Sequence, residues 1–296
     1  MNNTRKPIKG WARVLIIFLP FLIVLGISQI LGFKVLGLSI THRPESMEPF
    51  QEMVLAIFGL CGTLIVVGLF RRFLDKESFR SMGFCRFRSL TDIWLGFVIG
   101  AAIMVAGFVL LIVLKEITWV NTHFDLTKII QLFILFVVAA ITEELFFRGY
   151  ILNNLMKSMN KVAALIVASV GFSLMHAANP GYSWFSFFNI TVAGILLGVS
   201  YIYTKSLWLP IALHFSWNFF QGPVFGYNVS GQVINYSVIS QSRVTDNLLN
   251  GGSFGFEGSI LSIVFQVVAI VIIYLIFKKK EADYSLRSHF NSADSV

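Results

Sequence analysis

The segment "AAITEELFFRGYIL", residues 139–152, places two glutamates and an arginine inside a run that is otherwise apolar. The run extends from about residue 128 to residue 152, which is long enough to cross a bilayer. An ionisable side chain at the middle of a membrane span costs about 2.5–3.5 kcal/mol on insertion scales. Glu143, Glu144 and Arg148 therefore need partners that offset this cost.

Helical geometry supplies one of these partners. Glu144 and Arg148 are four residues apart, so they lie on one face of a helix and can pair with each other. Glu143 points about 100° away from Glu144 and faces a different neighbour. The sequence therefore predicts that Glu144 is neutralised along its own helix, whereas Glu143 needs a partner on another span.

The composition predicts a membrane protein. Of the 296 residues, 56% are hydrophobic and 13% are charged, whereas soluble domains contain roughly 25% charged residues. The two cysteines, Cys61 and Cys85, indicate neither a disulfide framework nor a cysteine metal site. Apolar runs of spanning length predict an all-α polytopic membrane protein with about eight transmembrane helices, near residues 11–33, 51–70, 92–114, 128–152, 162–178, 184–203, 206–222 and 258–277.

The distribution of basic residues predicts the orientation of these helices. Basic residues concentrate at the N-terminus, in 71–88 and 157–161, at Lys205 and in 278–287, while the intervening loops carry few charges. The two kinds of loop alternate across eight spans, so the positive-inside rule predicts that both termini are cytoplasmic.

Three regions are predicted along the chain. Residues 1–127 would contain the first three transmembrane helices and a basic cytoplasmic loop. Residues 128–222 would form a core of helices four to seven, which contains Glu143, Glu144 and Arg148. Residues 223–296 would contain an outside loop, the last transmembrane helix and a basic cytoplasmic tail.

Polar residues on two other predicted spans are candidate partners for Glu143. His176 ends the fifth span, with Phe172 one turn before it, and His214 and Asn218 share one face of the seventh. Counting ~1.5 Å per residue from the cytoplasmic ends is compatible with one shared cavity in the inner half of the membrane.

These residue types suit two kinds of chemistry. A buried carboxylate beside a histidine can activate water, and a second histidine with an asparagine amide can stabilise the oxyanion formed when water attacks a carbonyl. The same side chains could instead form a His₂Glu zinc site with an open position for water. The helical zinc signature H-E-x-x-H is absent from the sequence, which favours the metal-free interpretation.

Three short motifs occur in order, each on its own predicted span. "EELFFR" (143–148) fits E-E-x-x-x-R, "FSLMH" (172–176) fits F-x-x-x-H, and "HFSWN" (214–218) fits H-x-x-x-N. Together they resemble the CPBP family, also called Abi, which contains CAAX prenyl proteases and bacteriocin-processing or immunity proteins. The resemblance covers about residues 140–220 and implies an intramembrane endopeptidase with an all-helical core and an active site in a cavity within the membrane.

The resemblance also implies roles for individual residues. Glu143 with His176 would activate the water, and His214 with Asn218 would form the oxyanion site. Supporting positions, structural or substrate-orienting, are Glu144, Arg148 and Phe172. The expected enzyme is a glutamate-type peptidase without a metal or another cofactor, in a family formerly described as metalloproteases, and zinc is the alternative.

The expected substrate is a peptide or a membrane protein cleaved near the bilayer surface. A bacterial plasma membrane is the expected location, with a role in peptide or bacteriocin maturation or in self-immunity; a prenylated CAAX substrate applies only if the host prenylates proteins. One alternative is a non-catalytic scaffold for bacteriocin immunity or for the regulation of a sensor kinase or cell-wall enzyme. Another is a proton-coupled transporter, although the sequence shows no internal repeat.

The basic loop 71–88 interleaves aromatic and basic residues, which is typical of anchoring on anionic lipid. Membrane lipid is therefore an expected partner and nucleic acid is not. The sequence predicts no particular oligomeric state.

Overall fold

The structure is a computed structural model, and it describes residues 8–39, 47–84 and 89–293. Cys85 and part of the predicted basic loop 71–88 lie outside these residues. The described chain is mostly helical, which confirms the predicted all-α class.

Eight helical stretches occupy the positions of the eight predicted spans. They are α1 (Gly10–Val35), α2 (Pro49–Leu69, continued by the π-helical turn Phe70–Asp75), α3 (Ser89–Val113), α4 (Leu126–Glu144, continued by the π-helix Leu145–Leu152 and by the short α5, Asn153–Leu155), α6 (Lys161–Met175), α7 (Trp184–Thr204), α8 (Trp208–Phe219, continued by the π-helical turn Phe220–Val224) and α9 (Ile260–Ala293). Six of these stretches are long and apolar enough to cross a membrane, whereas α6 has 15 residues and α8 has 12. The chain is therefore a polytopic membrane protein in which two of the predicted spans are short helices.

A short two-stranded sheet was not predicted from the sequence. Strand β1 (Ile117–Thr122) pairs antiparallel with β2 (Ile239–Arg243), with Ile117 opposite Arg243. These strands come from two loops that the charge pattern places on the outside. The sequence "ITWVNT" of β1 contains the β-branched and aromatic residues typical of strands. Its six residues are too few to stand out beside the long apolar runs.

Several helices begin at side-chain caps. The side chains of Asp125, Asn160 and Ser183 accept hydrogen bonds from backbone N–H groups in the first turns of α4, α6 and α7. Such caps satisfy N–H groups that have no partner inside the helix. They fix where the apolar runs become helical.

The segments rich in basic residues meet at one end of the helices, here called the basic end. The backbone N–H of Trp11, at the start of α1, donates to Ser158 Oγ at 3.0 Å, and the N–H of Leu207 donates to the carbonyl of Gly83 at 2.9 Å. Lys157 pairs with Glu77 in the same region. Burial alone raises the pKa of Glu77, but the hydrogen bond from Lys157 and the nearby positive charges outweigh it and lower that pKa below its ordinary value.

The opposite end is covered by a cap, defined as residues 225–259 together with β1. Cap and helix ends are joined by hydrogen bonds: Asn235 Nδ2 donates to the carbonyl of Met47 at 2.7 Å, and Asn179 Nδ2 donates to the carbonyl of Ser230 at 2.9 Å. The loop predicted as an outside connection is therefore attached to the helices that it joins.

Both ends carry exposed aromatic side chains, as expected at the two surfaces of a bilayer. They are Trp11, Phe73 and Trp94 at the basic end, and Trp119, Phe124 and Trp184 at the cap end.

Close packing of α3 on α8 holds α8 in place near both of its ends. A Cβ on Gly96 would lie 2.4 Å from the carbonyl oxygen of Leu209, and one on Gly100 would lie 2.1 Å from Ser216 Oγ. Ser216 Oγ also donates to the carbonyl of Phe97 at 2.9 Å. Only glycine allows this approach of the two helices.

Replacing Gly100 with valine should push α3 away from α8. Overpacking a close contact costs about 1–3 kcal/mol, so the midpoint of thermal unfolding in detergent should fall. The control is Gly68→Ala in α2, where an added Cβ meets nothing within 4 Å. That variant should be as stable as the wild type or more so, and an equal loss of stability in both variants would contradict the assigned contact.

Candidate active site

Glu143 and Glu144 lie at the point where α4 changes from an α-helix to a π-helix. All eight residues of the π-helix, Leu145–Leu152, are buried. π-Helical turns inside α-helices are frequent at functional sites. This feature is not visible in the apolar pattern of the sequence.

Glu144 is the centre of a buried group of charges. Its Oε1 accepts a hydrogen bond from Arg148 Nη1 at 2.7 Å and another from His214 Nδ1 at 2.9 Å. Glu144 is 0% exposed and Arg148 is 2% exposed. The predicted pairing of Glu144 with Arg148 is therefore present, and His214 is a third member that the sequence did not indicate because it comes from another helix.

Arg148 extends this group to α7 and to α6. Its Nη2 donates to the carbonyl of Gly194 at 3.1 Å, and its guanidinium carbon lies 4.4 Å from the centre of the Phe172 ring. A buried charge requires several such contacts because it has lost its hydration. Arg148 thereby joins three helices around Glu144.

Glu143 faces a different set of neighbours. Its Oε2 lies 3.9 Å from Nε2 of His176 and also 3.9 Å from Nε2 of His214. Oε2 is buried and accepts no hydrogen bond from the part of the chain that the structure describes. A separation of 3.9 Å exceeds a direct hydrogen bond but can be bridged by one water molecule.

The hydrogen bonds of the two imidazoles fix their orientation. His176 Nδ1 lies 2.9 Å from the carbonyl oxygen of Phe172, and His214 Nδ1 lies 2.9 Å from the Glu144 carboxylate. Both partners accept hydrogen bonds, so each Nδ1 carries the proton and each Nε2 is directed at Glu143. The Phe172 ring packs against both imidazoles, with ring centres 4.9 Å from His176 and 6.0 Å from His214.

Asn218 lies one helical turn beyond His214 and lines the same cavity. This cavity has a volume of about 390 Å³ and is bordered by Glu143, Phe172, His176 and His214. The structure thus brings together the four residues predicted as catalytic. Among the residues predicted as supporting, Phe172 borders the cavity, whereas Glu144 and Arg148 lie behind its wall.

Among the further amides that border the cavity, the two fully buried ones, Asn189 and Gln266, were missed by the sequence analysis. Gln266 Nε2 donates to Asn189 Oδ1 at 2.7 Å, and Asn189 Nδ2 donates to the carbonyl of Ser259 at 2.9 Å. Both residues are 0% exposed. The signal that could have found Gln266 is its position as a lone amide in the apolar run of α9.

Within the described residues, no group of three or more His, Cys, Asp and Glu side chains is placed to hold a metal ion. His176, His214 and Glu143 nevertheless have the donor types of zinc sites. The metal-free reaction and the zinc alternative both stay predictions.

The region that contains these side chains is similar to a known protein family. Residues 125–220 match the family of type II CAAX prenyl endopeptidases described as Rce1-like. The matched segment runs from the N-cap of α4 to the end of α8 and contains all seven residues predicted for the site. The match confirms the family resemblance seen in the motifs and indicates an intramembrane endopeptidase in general. No curated protein matches the chain at a significant level.

Replacing Arg148 with leucine should destabilise the protein strongly. The change leaves the Glu144 carboxylate buried with one partner fewer, and breaking a buried ion pair costs about 3–5 kcal/mol. The measurement is unfolding in detergent, followed by near-ultraviolet circular dichroism.

The matched control is Lys157→Leu, which removes the ion pair with Glu77, where both side chains are 35% exposed. Surface pairs contribute about 0–1 kcal/mol, so this variant should remain close to the wild type. Equal effects of the two substitutions would contradict the central place of the buried pair.

Proposed function

We propose that the chain is a peptidase that hydrolyses a peptide bond with a water molecule held between Glu143 and His176, with His214 and Asn218 as donors to the oxyanion. The observation that supports this proposal is the position of Glu143 Oε2, at 3.9 Å from the Nε2 atoms of both histidines. A separation of 3.9 Å between Glu143 Oε2 and His176 Nε2 can be bridged by one water oxygen. The family match at residues 125–220 supports the same class of reaction.

In the first step the water oxygen attacks the carbonyl carbon of the substrate. The new C–O bond forms while Glu143 takes one proton of the water, and the carbonyl oxygen becomes an oxyanion. His176 Nε2 accepts the hydrogen bond from the second proton and so orients the water. When the C–N bond breaks, Glu143 returns its proton to the leaving amine.

The oxyanion would be stabilised by Asn218 and His214. For His214 Nε2 to donate, both ring nitrogens must carry protons, because Nδ1 already donates to Glu144. The imidazolium and Arg148 would then balance the carboxylates of Glu143 and Glu144, so that the site carries no net charge. Hydrogen-bond donors already placed at the developing charge lower the barrier without further rearrangement.

We assign this activity to a bacterial plasma membrane, with a peptide or small membrane protein as the substrate and maturation or self-immunity as the outcome. The alternation of basic and neutral loops supports the orientation of this proposal, with both termini in the cytoplasm. The competing proposal is a scaffold without catalysis, and it predicts that the chemistry of Glu143 is dispensable.

Replacing Glu143 with glutamine tests the two proposals against each other. The variant keeps the size of the side chain but lacks the base, so cleavage should fall about 10²–10⁴-fold, with little change in thermal stability. The measurement is the release of products from a membrane-peptide library in liposomes that contain the purified protein. Full biological function of Glu143→Gln in cells would favour the scaffold.

The same assay is run with a chelator and with added zinc. A rate that is unchanged by the chelator is expected for the proposed reaction. Loss of activity in the chelator, with recovery on addition of zinc, would instead establish the His₂Glu metal reaction.

Replacing Asn218 with alanine should lower kcat about 10²–10³-fold and leave KM nearly unchanged, because its contact with the oxyanion exists only in the transition state. The control is Asn179→Ala, which removes another amide at the cavity, one that is bonded to the cap. It should lose much less of kcat. A change confined to KM in Asn218→Ala would contradict the assigned role.

A further inference from the structure

The cavity extends from Glu143 in one direction along the helices. On α4, its lining residues Leu135, Phe136 and Ala139 all precede Glu143, so they lie between Glu143 and the cap end of the helix. Among the described lining residues, none comes from the part of α4 and its π-helix that continues to the basic end. The space beside Glu143 therefore extends toward the cap end of α4.

The lining residues on the other helices show that the cavity extends in the same direction. α7 begins at the cap end, and its lining residues run from Asn189 to Leu197 without reaching its last turns. α8 begins at the basic end, and its lining residues start only at Leu213. α2 contributes Glu52, Leu55 and Ala56 from its cap-end half.

The basic end is closed by two buried layers. The first is the group of Glu144, Arg148 and His214, which ties α4 to α7 and α8 directly behind Glu143. The second layer is centred on Asp75. Its carboxylate accepts hydrogen bonds from Arg71 Nη1 at 3.0 Å and from Asn154 Nδ2 at 3.1 Å.

Large apolar side chains fill the space between these two layers. They are fully buried at Met82, Leu145, Phe146, Tyr150, Leu207 and Leu209. No channel of the described residues therefore leads from Glu143 to the basic end.

The cap end, in contrast, gives access to the catalytic group. The Glu143 side chain is 33% exposed. The outer rim of the cavity includes Gln232 and Ile234 from the cap, of which Gln232 is exposed to solvent. The cavity therefore approaches solvent at the cap.

The positive-inside rule places the basic end in the cytoplasm. We propose that the cavity opens to the extracytoplasmic side, so that the protein acts on a peptide segment presented at or above the outer leaflet. The direction of the opening follows from the cavity itself, whereas cleavage in it rests on the proposed function. A cytoplasmic protein tail would meet the closed end.

The charges of the cavity lining limit the class of peptide segment that the cavity would accept. The described lining contains the carboxylates of Glu52, Glu143 and Glu257 and no lysine or arginine. Between the balanced group at Glu143 and the cap, an acidic residue or a free C-terminal carboxylate would meet the Glu257 carboxylate and no lysine or arginine of the described lining. The preferred substrate is therefore an internal segment of uncharged or basic residues in an otherwise apolar context.

Cysteine labelling tests the direction of the opening without any need for catalysis. In a Cys61→Ser, Cys85→Ser background, single cysteines are introduced as Ala139→Cys inside the cavity, Gln232→Cys at its rim and Lys157→Cys at the basic end. Intact cells are treated with a membrane-impermeant maleimide, and inverted membrane vesicles are treated in parallel.

Cysteines at 139 and 232 should be labelled in intact cells, and the cysteine at 157 only in inverted vesicles. Labelling of the cysteine at 139 only in inverted vesicles would overturn the proposal, because the cavity would then open to the cytoplasm. Labelling of the cysteine at 232 only in inverted vesicles would also overturn the proposal, because the cap and the cavity beneath it would then face the cytoplasm.

The second measurement uses single-span reporters that carry one randomised segment either just outside or just inside the membrane. They are expressed with the wild type or with Glu143→Gln. Products that depend on Glu143 should arise only from the outside reporters and should be depleted in segments with aspartate or glutamate.

The two experiments separate the two proposals. Cleavage of inside reporters alone would overturn the extracytoplasmic assignment while supporting the peptidase. Cleavage of neither set, with the cysteine at 139 labelled from outside, would contradict the peptidase and leave the direction of the cavity established.

Discussion

The buried carboxylate of Glu144 is the constraint on which the arrangement of the site depends. In the interior of a membrane protein such a charge is stable only if fixed partners replace its lost hydration. Here they come from Arg148 on the same helix and His214 on α8. Because Arg148 also contacts Gly194 and Phe172, the neutralisation of one charge fixes the mutual position of four helices. The residues nearest to the proposed reaction inherit their geometry from this requirement.

Two adjacent glutamates thereby have opposite environments. Glu144 is completely enclosed and pairs through Oε1, whereas Glu143 remains partly exposed to the cavity. Oε2 of each glutamate receives no hydrogen bond from the described residues. The hydrogen bond to Glu144 also sets which nitrogen of His214 faces Glu143. Glu144 therefore orients the imidazole of His214, which faces Glu143. The same hydrogen bond stabilises the fold and sets the geometry of the proposed reaction.

Local spacing in the sequence predicted the contacts that lie along one helix. The pairing of Glu144 with Arg148 and the shared face of His214 and Asn218 follow from a separation of four residues. The sequence also predicted that Glu143 looks away from Arg148. It did not indicate the bond between Glu144 and His214, because that contact depends on how α4 and α8 pack. Counting residues from the helix ends was compatible with one shared cavity for these side chains, and the structure brings them to one cavity. The shape of that cavity, which extends from Glu143 toward the cap, is set by packing. Strands β1 and β2 were missed because short pairs in loops leave a weak pattern beside long apolar runs.

The contribution of the cap and α9 to the cavity has a consequence for the time at which the site is complete during synthesis. The matched segment ends at residue 220, and every motif residue has been translated by Asn218. Part of the cavity wall comes later, from Ser230, Glu257 and Gln266. A nascent chain that has just inserted α8 thus contains all of the motif residues, but the wall of its cavity is incomplete. The wall is complete only after residues 225–259 and α9 have joined the bundle, so assembly of the site continues after the motif residues have entered the membrane.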